Sequence, residues 1–290
     1  MNSEWEFLME KYWQHEDAIA YGIIKISVAD IRAQSVFQSE MVNQTLLGTI
    51  VPILDKRDEF YLIQNWDGYW GWVNKHTLIV GDQTMVENWH AAEHAICVAN
   101  YGLVYTLADE NSEIISDLVP CNLLKKIKDE PKFIQVELPD RQTGFVPTDL
   151  LTDEANWQKI KISQQKIVEQ SKKFMGVPYV WGGNSPKGFD CSGFVQTVYR
   201  MLNVNLPRDS GPMSRVGQNV PIDKGSQNFQ IGDLLFFGKS AKRINHVAIY
   251  LGDNLYIHSR GKVGINSLDP KHPLYEDYLK TLFVKVQRVV

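Results

Sequence analysis

The chain has 290 residues, which is enough for two or three domains of ordinary size. A hydrophobic content of 44% is typical of a globular protein, and a net charge of −4 with no basic cluster argues against nucleic acid or an anionic membrane as partner. The longest apolar runs, such as 234–237, are too short to span a bilayer.

Residues 1–18 are predicted to form an amphipathic helix. Ser3 and Glu6 have the spacing of a capping box, and large apolar side chains recur on one face. The stretch lacks the basic start and the continuous apolar run of a secretory signal peptide. The three cysteines of the chain do not form a disulfide framework. Both observations favour a cytoplasmic protein, or a periplasmic one if a leader has been removed.

The segments 19–80 and 81–151 are predicted to be two small all-β barrels. Short β-type runs alternate there with turn signals such as Asp67-Gly68, and helical stretches are few. If the first barrel binds a ligand, Tyr69 beside this turn is a candidate residue. The second barrel, with Gln142 at the matching position, would then be a spacer.

The two barrel segments repeat each other. Three pairs of short segments match, at offsets of 73, 73 and 70 positions: Ser39–Met41 with Ser112–Ile114, Gly71–Val73 with Gly144–Val146, and Val28–Asp30 with Val98–Asn100. The change of offset predicts a three-residue gap between the copies.

Residues 152–290 have an α+β pattern. Ser163 is a predicted N-cap of a helix that stops at Gly176, and a second helix begins at Cys191. The strand-like runs that follow predict antiparallel strands, and a helix followed by antiparallel strands is an α+β layout. These runs are 234–237, 246–251, 255–258 and 282–290.

Cys191 is the candidate nucleophile. Asp190 is a good N-cap type, so Cys191 falls in the first turn of the helix, where unpaired N–H groups and the helix dipole favour the thiolate. The glycines before it, such as Gly182 and Gly183, suit a backbone that passes close to a substrate. A lone cysteine in this position is as often a buried, inert core thiol.

His246 and His258 begin and end two neighbouring predicted strands. An odd-length loop between them places both side chains on one face of the hairpin, whereas an even loop without a bulge places them on opposite faces. A shared face gives the geometry of a base and its orienting partner. Metal binding is the competing use of one cysteine and two histidines. The sequence has no second cysteine at close spacing, so it predicts no metal site and no cofactor.

Several motifs of the C-terminal segment resemble the NlpC-type cysteine peptidases, papain-like enzymes that cut bacterial cell-wall peptides. The matching motifs are Pro178-Tyr179, Trp181–Gly183, Asp190–Gly193, Gly232–Leu234 and Asn245–Tyr250. The barrels in front resemble bacterial SH3-like domains. With them, the chain is similar to the γ-D-glutamyl-L-diamino-acid endopeptidases of murein recycling.

The resemblance implies a fold, a substrate and a catalytic set. The fold is a papain-like α+β catalytic domain behind two SH3-like barrels. The substrate is a murein tri- or tetrapeptide, cut between γ-D-Glu and Lys or diaminopimelate. Cys191 is then the nucleophile, His246 the general base and His258 the residue that orients His246. Tyr179 is expected beside the oxyanion, together with the Cys191 backbone N–H.

The resemblance also implies residues that bind the substrate. Asp190, Ser192 and Ser210 are expected to contact the peptide. Glu40 and Tyr69 of the first barrel match a Glu and a Tyr that close one end of the cleft and hold the free amine of L-Ala. We expect the Glu40 carboxylate to be buried, because a buried carboxylate discriminates strongly between a charged amine and a blocked one.

A second interpretation is a peptidoglycan-binding module with secondary amidase or acyltransferase activity. In that case the barrels anchor the protein on the cell wall and the C-terminal segment is secondary. The complete set of one cysteine and two histidines favours the peptidase. The sequence does not determine the oligomeric state.

Overall fold

The computed structural model describes residues 15–223 and 225–289, which divide into two compact units, 15–160 and 161–289. The helix expected over 1–18 lies outside the described residues up to position 14, and residues 15–18 contain a turn. No helix in the described part of the chain is long and apolar enough to cross a membrane.

The first unit contains two sheets of seven antiparallel strands. The strands of the first sheet are β1 (Ala20–Ile24), β2 (Val28–Arg32), β3 (Met41–Leu46), β4 (Ile50–Arg57), β5 (Phe60–Gln64), β6 (Trp70–Asn74) and β7 (Leu78–Gly81). Those of the second are β8 (His94–Cys97), β9 (Gly102–Tyr105), β10 (Ile114–Leu118), β11 (Leu123–Asp129), β12 (Phe133–Glu137), β13 (Thr143–Pro147) and β14 (Leu151–Asp153). Helix α1 (Gln83–His90) connects the sheets, and α2 (Glu154–Trp157) follows the second.

The two sheets have the same topology. The strand order is β3-β2-β6-β5-β4-β1-β7 in the first and β10-β9-β13-β12-β11-β8-β14 in the second, which is the same order advanced by seven strands. Each sheet covers its own apolar core. In β2, for example, Ala29 and Ile31 are buried while their neighbours are partly exposed, as the alternation of a strand requires. The expected pair of all-β SH3-like sheets is confirmed.

The repeat keeps one offset of 73 positions. Arg32 pairs with Trp72 in the first sheet, and Tyr105 pairs with Phe145, each 73 positions later, in the second. The three-residue gap expected between the copies is therefore wrong. The segment Val98–Asn100, on which that expectation rested, lies in the bend after β8 rather than in a strand.

Hydrogen bonds connect the second sheet to the first. Asn122 Nδ2 donates to the carbonyl of Ser27 at 2.8 Å, and the Ser27 hydroxyl donates to Asp117 at 2.7 Å. Trp89 of α1 donates its indole N–H to the carbonyl of Gly48 at 3.0 Å. Hydrogen bonds of this kind hold the two sheets in one unit, so the second barrel stabilises the position of the first.

The second unit is built on one antiparallel sheet. Its elements are α3 (Gln164–Lys172), β15 (Asn184–Ser185), β16 (Gly188–Phe189), α4 (Cys191–Arg200), α5 (Ser210–Met213), β17 (Gln218–Asn219), β18 (Leu234–Ser240), β19 (Arg243–Gly252), β20 (Leu255–Arg260), β21 (Lys262–Ser267), α6 (Asp277–Leu282) and β22 (Phe283–Arg288). The six-stranded sheet has the order β17-β22-β18-β19-β20-β21. Helix α4 packs against β19 and β20, which confirms the expected α+β arrangement.

Helix α4 is fixed by apolar packing. Phe194, Val195 and Val198 are fully buried, as the helical spacing of apolar residues predicts. Phe194 also contacts the rings of Phe174 and Phe189 edge to face. The start of the helix is therefore held firmly against the sheet, and with it the first residue, Cys191.

Candidate active site

Cys191 is the first residue of α4, as the N-cap pattern predicts. The carboxylate of Asp190 caps the helix by accepting from the backbone N–H of Gly193 at 2.7 Å. Gly193 allows a close approach, because a Cβ at this position would lie 2.1 Å from the carbonyl oxygen of Gly183. Cys191 is buried, with 8% of the residue's surface exposed.

The sulfur of Cys191 lies against the strand that carries His246. Its Sγ is 4.0 Å from the carbonyl oxygen of Asn245, the residue before His246. The backbone N–H of Val247, the residue after His246, also interacts with the sulfur. Helix α4 and strand β19 thus place the sulfur of the predicted nucleophile against the backbone on either side of His246, the predicted base.

A β-bulge places His246 and His258 on the same face of the sheet. The turn between β19 and β20 is even, with Asp253 and Asn254 both at positive φ, as in a type I′ turn. Such a turn alone would put the two histidines on opposite faces. The register shifts by one residue at Leu251, and this bulge restores the shared face.

The two histidines continue into a hydrogen-bond chain. His246 Nε2 lies 2.7 Å from His258 Nδ1, and His258 Nε2 lies 2.8 Å from Asn266 Oδ1. His258 is buried and His246 is half-buried. Since Nε2 of His246 is occupied by His258, Nδ1 is the nitrogen that remains for Cys191. Sequence reasoning missed Asn266, because it did not predict β21.

Desolvation acts on the charge state of both groups. Burial raises the pKa of the Cys191 thiol to about 12, with a further rise from the neighbouring Asp190 carboxylate. Burial also lowers the pKa of His246 to about 3, helped by His258 and Arg260. Both shifts favour a neutral thiol and a neutral imidazole in the free protein. They oppose the effect of the helix N-terminus, so the thiolate expected from the sequence stays a prediction.

Tyr179 interacts electrostatically with Cys191. Its backbone N–H donates to the carbonyl of Gly261 at 2.8 Å, which ties the segment before α4 to the turn after β20. Burial raises the pKa of Tyr179 to about 12, and the nearby Cys191 and Asp190 add to the rise. The hydroxyl therefore stays protonated at neutral pH and can donate a hydrogen bond, as a residue beside an oxyanion must.

Asp190 and Ser192 are bound by a buried arginine. Arg208 Nη1 lies 3.0 Å from both Asp190 Oδ1 and Ser192 Oγ, and Nη2 binds the second carboxylate oxygen. The Arg208 side chain is only 2% exposed. Both residues that flank Cys191 thus have internal partners, and their expected contact with the peptide stays a prediction. Sequence reasoning assigned no role to Arg208, because a buried ion pair leaves no local pattern.

The remaining predicted site residues lie in both units. Ser210 is buried at the start of α5, which packs against β19. Glu40 and Tyr69 belong to the first unit, where Tyr69 directly precedes β6 and is half-buried. Glu40 is exposed just before β3, so the expected burial of its carboxylate is not found.

Within residues 15–223 and 225–289, no group of three or more His, Cys, Asp and Glu side chains is arranged to hold a metal ion. None of Cys97, Cys121 and Cys191 forms a disulfide.

Two curated relatives resemble most of the chain. The chain is 29% identical over 232 residues to a γ-D-glutamyl-L-lysine dipeptidyl-peptidase of Bacillus cereus, which covers 76% of this chain and 68% of that protein. It is 26% identical over 283 residues to dipeptidyl-peptidase 6 of Lysinibacillus sphaericus, covering 91% and 97%.

A solved structure shares the fold. The NlpC/P60 family protein from Bacillus cereus aligns with a TM-score of 0.79 at 23% identity, over 93% of this chain and 99% of that one.

Two parts of the chain match known families. Residues 176–288 match the NlpC/P60 family, which is a family of cysteine peptidases, and residues 27–79 match the bacterial SH3 domain. Cys191, His246 and His258 all lie within the first match. The chain therefore carries an NlpC/P60 cysteine peptidase domain preceded by a bacterial SH3 domain.

Proposed function

We propose that the protein is a cysteine endopeptidase that cleaves the bond between γ-D-Glu and the L-diamino acid of murein peptides, in peptidoglycan turnover and recycling. The observation that carries the proposal is the contact of Cys191 with the strand of His246, together with the hydrogen bond from His246 to His258. The name of the Bacillus cereus relative supports a γ-D-glutamyl bond as the target.

The first step is acylation of Cys191. As the sulfur attacks the γ-carbonyl carbon of D-Glu, its proton passes to His246 Nδ1, and the carbonyl oxygen becomes an oxyanion. We expect the Tyr179 hydroxyl and the Cys191 backbone N–H to donate to that oxygen, each contributing on the order of 3 kcal/mol to the lowering of the barrier.

The second step releases the products. The protonated His246 gives its proton to the α-amine of the diamino acid, the C–N bond breaks, and a thioester remains on Cys191. Water then attacks the thioester as His246 takes one of its protons. The C–S bond breaks, the L-Ala-D-Glu dipeptide leaves, and the Cys191 thiol is restored.

Mass spectrometry of the products tests the proposal. L-Ala-γ-D-Glu-L-Lys and the matching diaminopimelate tripeptide are incubated with the wild-type protein and with Cys191→Ala. The expected products are the L-Ala-D-Glu dipeptide and the free diamino acid, from the wild type only. Cleavage at a different bond, or no cleavage of either peptide, would refute the proposed substrate. The two peptides also show which diamino acid is preferred.

We further propose that Glu40 and Tyr69 bind the free amine of L-Ala. The proposal predicts that N-acetylation of the tripeptide sharply raises KM for the wild type, and that Glu40→Gln raises KM for the free amine. Glu113→Gln is the matched control, since Glu113 is the exposed counterpart of Glu40 in the second barrel. Equal KM values for free and acetylated peptide would refute the role.

A further inference from the structure

A third strand extends the hydrogen-bond chain of the site. Strand β20 pairs with β21 so that His258 lies opposite Gly264, and Asn266 lies two residues further along on the same face. Asn266 Oδ1 is 2.8 Å from His258 Nε2, and Asn266 Nδ2 is 2.9 Å from the carbonyl oxygen of Leu274. The side-chain amide therefore bridges the buried ring and a backbone carbonyl.

The backbone carbonyl decides which way the amide faces. The oxygen of Leu274 can only accept hydrogen bonds, so the group that faces it must be the NH₂ of Asn266. The opposite orientation would set two carbonyl oxygens against each other. The carbonyl is itself held in place, because it also accepts from the backbone N–H of Ser267 at 3.0 Å. The amide oxygen is consequently the atom that faces His258.

This orientation sets the tautomers of both rings. Because Asn266 Oδ1 is an acceptor, His258 must carry its hydrogen on Nε2. A neutral His258 then has its lone pair on Nδ1, so His246 must donate from Nε2. The lone pair of His246 remains on Nδ1, the nitrogen that has to take the proton of Cys191. Burial favours the neutral form of both rings by lowering their pKa values.

We infer that Asn266 is a positioning residue that holds His246 in the tautomer able to accept the thiol proton. The inference rests on the peptidase function proposed for the same site. Without the amide oxygen, His258 is free to carry its hydrogen on Nδ1. His246 would then have to accept at Nε2 and would present an N–H to the sulfur, a form that cannot act as a base.

Two substitutions test the oxygen of the Asn266 side chain, which accepts from His258, separately from its NH₂ group, which donates to Leu274. Asn266→Asp keeps an oxygen for His258, whereas Asn266→Leu removes it, and both lose the donor to Leu274. We expect Asn266→Leu to lower kcat by about tenfold or more with KM unchanged, since wrong-tautomer variants lose activity at the chemical step. Asn266→Asp should keep most of kcat at neutral pH. The acidic limb of the pH profile of kcat should move to higher pH in this variant, because a carboxylate beside His258 stabilises the protonated rings.

Asn219→Leu on the exposed edge strand β17 is the matched control and should leave kcat unchanged. Equal losses of kcat in Asn266→Leu and Asn266→Asp would overturn the inference, because the amide would then act only through its contact with Leu274. Full activity in Asn266→Leu would also overturn it, because the amide would then have no role in catalysis.

Nitrogen NMR of protein labelled at its histidines gives a readout that needs no substrate. We expect Nε2–H on both rings in the wild type and in Asn266→Asp, and Nδ1–H on His258 in part of the Asn266→Leu protein. A hydrogen on Nδ1 of His258 in the wild type would overturn the inference whatever the activity. If the NMR result is as expected but the wild type does not cleave the murein peptides, the substrate proposal fails and the tautomer assignment stands.

Discussion

His246 Nε2 lies 2.7 Å from His258 Nδ1, although the two-residue turn between their strands would by itself separate the rings onto opposite faces of the sheet. The bulge at Leu251 is what brings them together. The pairing of the two rings therefore depends on one extra residue in β19, seven positions before His258 in the chain.

Deletion of Leu251 tests this dependence. Without the bulge, His258 moves to the other face, and we expect kcat/KM to fall by about 10³-fold or more, as for loss of a triad member. Inserting one glycine between Asp253 and Asn254 of the deleted chain changes the two-residue loop to an odd one, which returns both rings to one face and should recover part of the activity. Circular dichroism shows whether each variant is folded. Wild-type activity in the deletion alone would contradict the role of the bulge.

The partly desolvated imidazole of His246 predicts how the free energy of unfolding depends on pH. Burial lowers its pKa to about 3, below the ordinary value near 6.5, so between these values the unfolded chain binds more protons than the folded one. The free energy of unfolding should therefore fall as pH drops, with His246 contributing on the order of 2 kcal/mol of the loss between about pH 7 and pH 5.

Denaturant unfolding at these two pH values measures the contribution. His246→Gln should lose less stability than the wild type on acidification, whereas the exposed His76→Gln should follow the wild type. An equal acid loss in His246→Gln and the wild type would show that His246 does not titrate as its burial predicts.

A neutral Cys191 thiol predicts how the rate of its alkylation depends on pH. Because the pKa of Cys191 is raised to about 12, its alkylation by iodoacetamide should become faster by about tenfold per pH unit up to at least about pH 9. The rate is measured for the Cys191 peptide by mass spectrometry. In denaturant, where the thiol has its ordinary pKa near 8.5, the rate should level off above that pH. A plateau that begins near pH 6 in the folded protein would indicate a stable thiolate instead.

The buried pair of Arg208 and Asp190 predicts a large loss of stability when one partner is removed. Arg208→Met leaves the Asp190 carboxylate without its cation, which should cost roughly 3–5 kcal/mol in the free energy of unfolding. Adding Asp190→Asn should recover part of this loss, since the uncompensated charge is removed while the N-cap oxygen is kept. Arg243→Met, at an exposed position, is the control. A loss below about 0.5 kcal/mol for Arg208→Met would contradict the account.

Local patterns were enough to predict part of the site. The N-cap at Asp190 and the helical spacing after it placed Cys191 at the start of a helix. The spacing of His246 and His258 predicted a hairpin, but their shared face depended on a bulge that the sequence does not reveal.

Contacts between distant segments were not predictable in this way. Arg208 reaches Asp190 across 18 positions, and its burial gives no periodic signal. Asn266 lies on β21, a six-residue strand with Gly264 in its interior. Glycine is depleted in strands and weakens their sequence pattern, so neither the strand nor its register was expected. The offset of 70 between Val28–Asp30 and Val98–Asn100 shows the opposite error, since three similar residues in a bend resembled a repeat of a strand.

In the proposed reaction, the Cys191 sulfur performs the cleavage with His246 as its base. The most direct measurement is kcat/KM for release of the L-Ala-D-Glu dipeptide by the wild type, Cys191→Ala and His246→Ala, with Cys97→Ala as a control for loss of a buried thiol elsewhere. We expect a loss of about 10³-fold or more in Cys191→Ala and His246→Ala, and near wild-type activity in the folded control. Dipeptide release by Cys191→Ala at a rate within about tenfold of the wild type would contradict the role of Cys191 as the nucleophile.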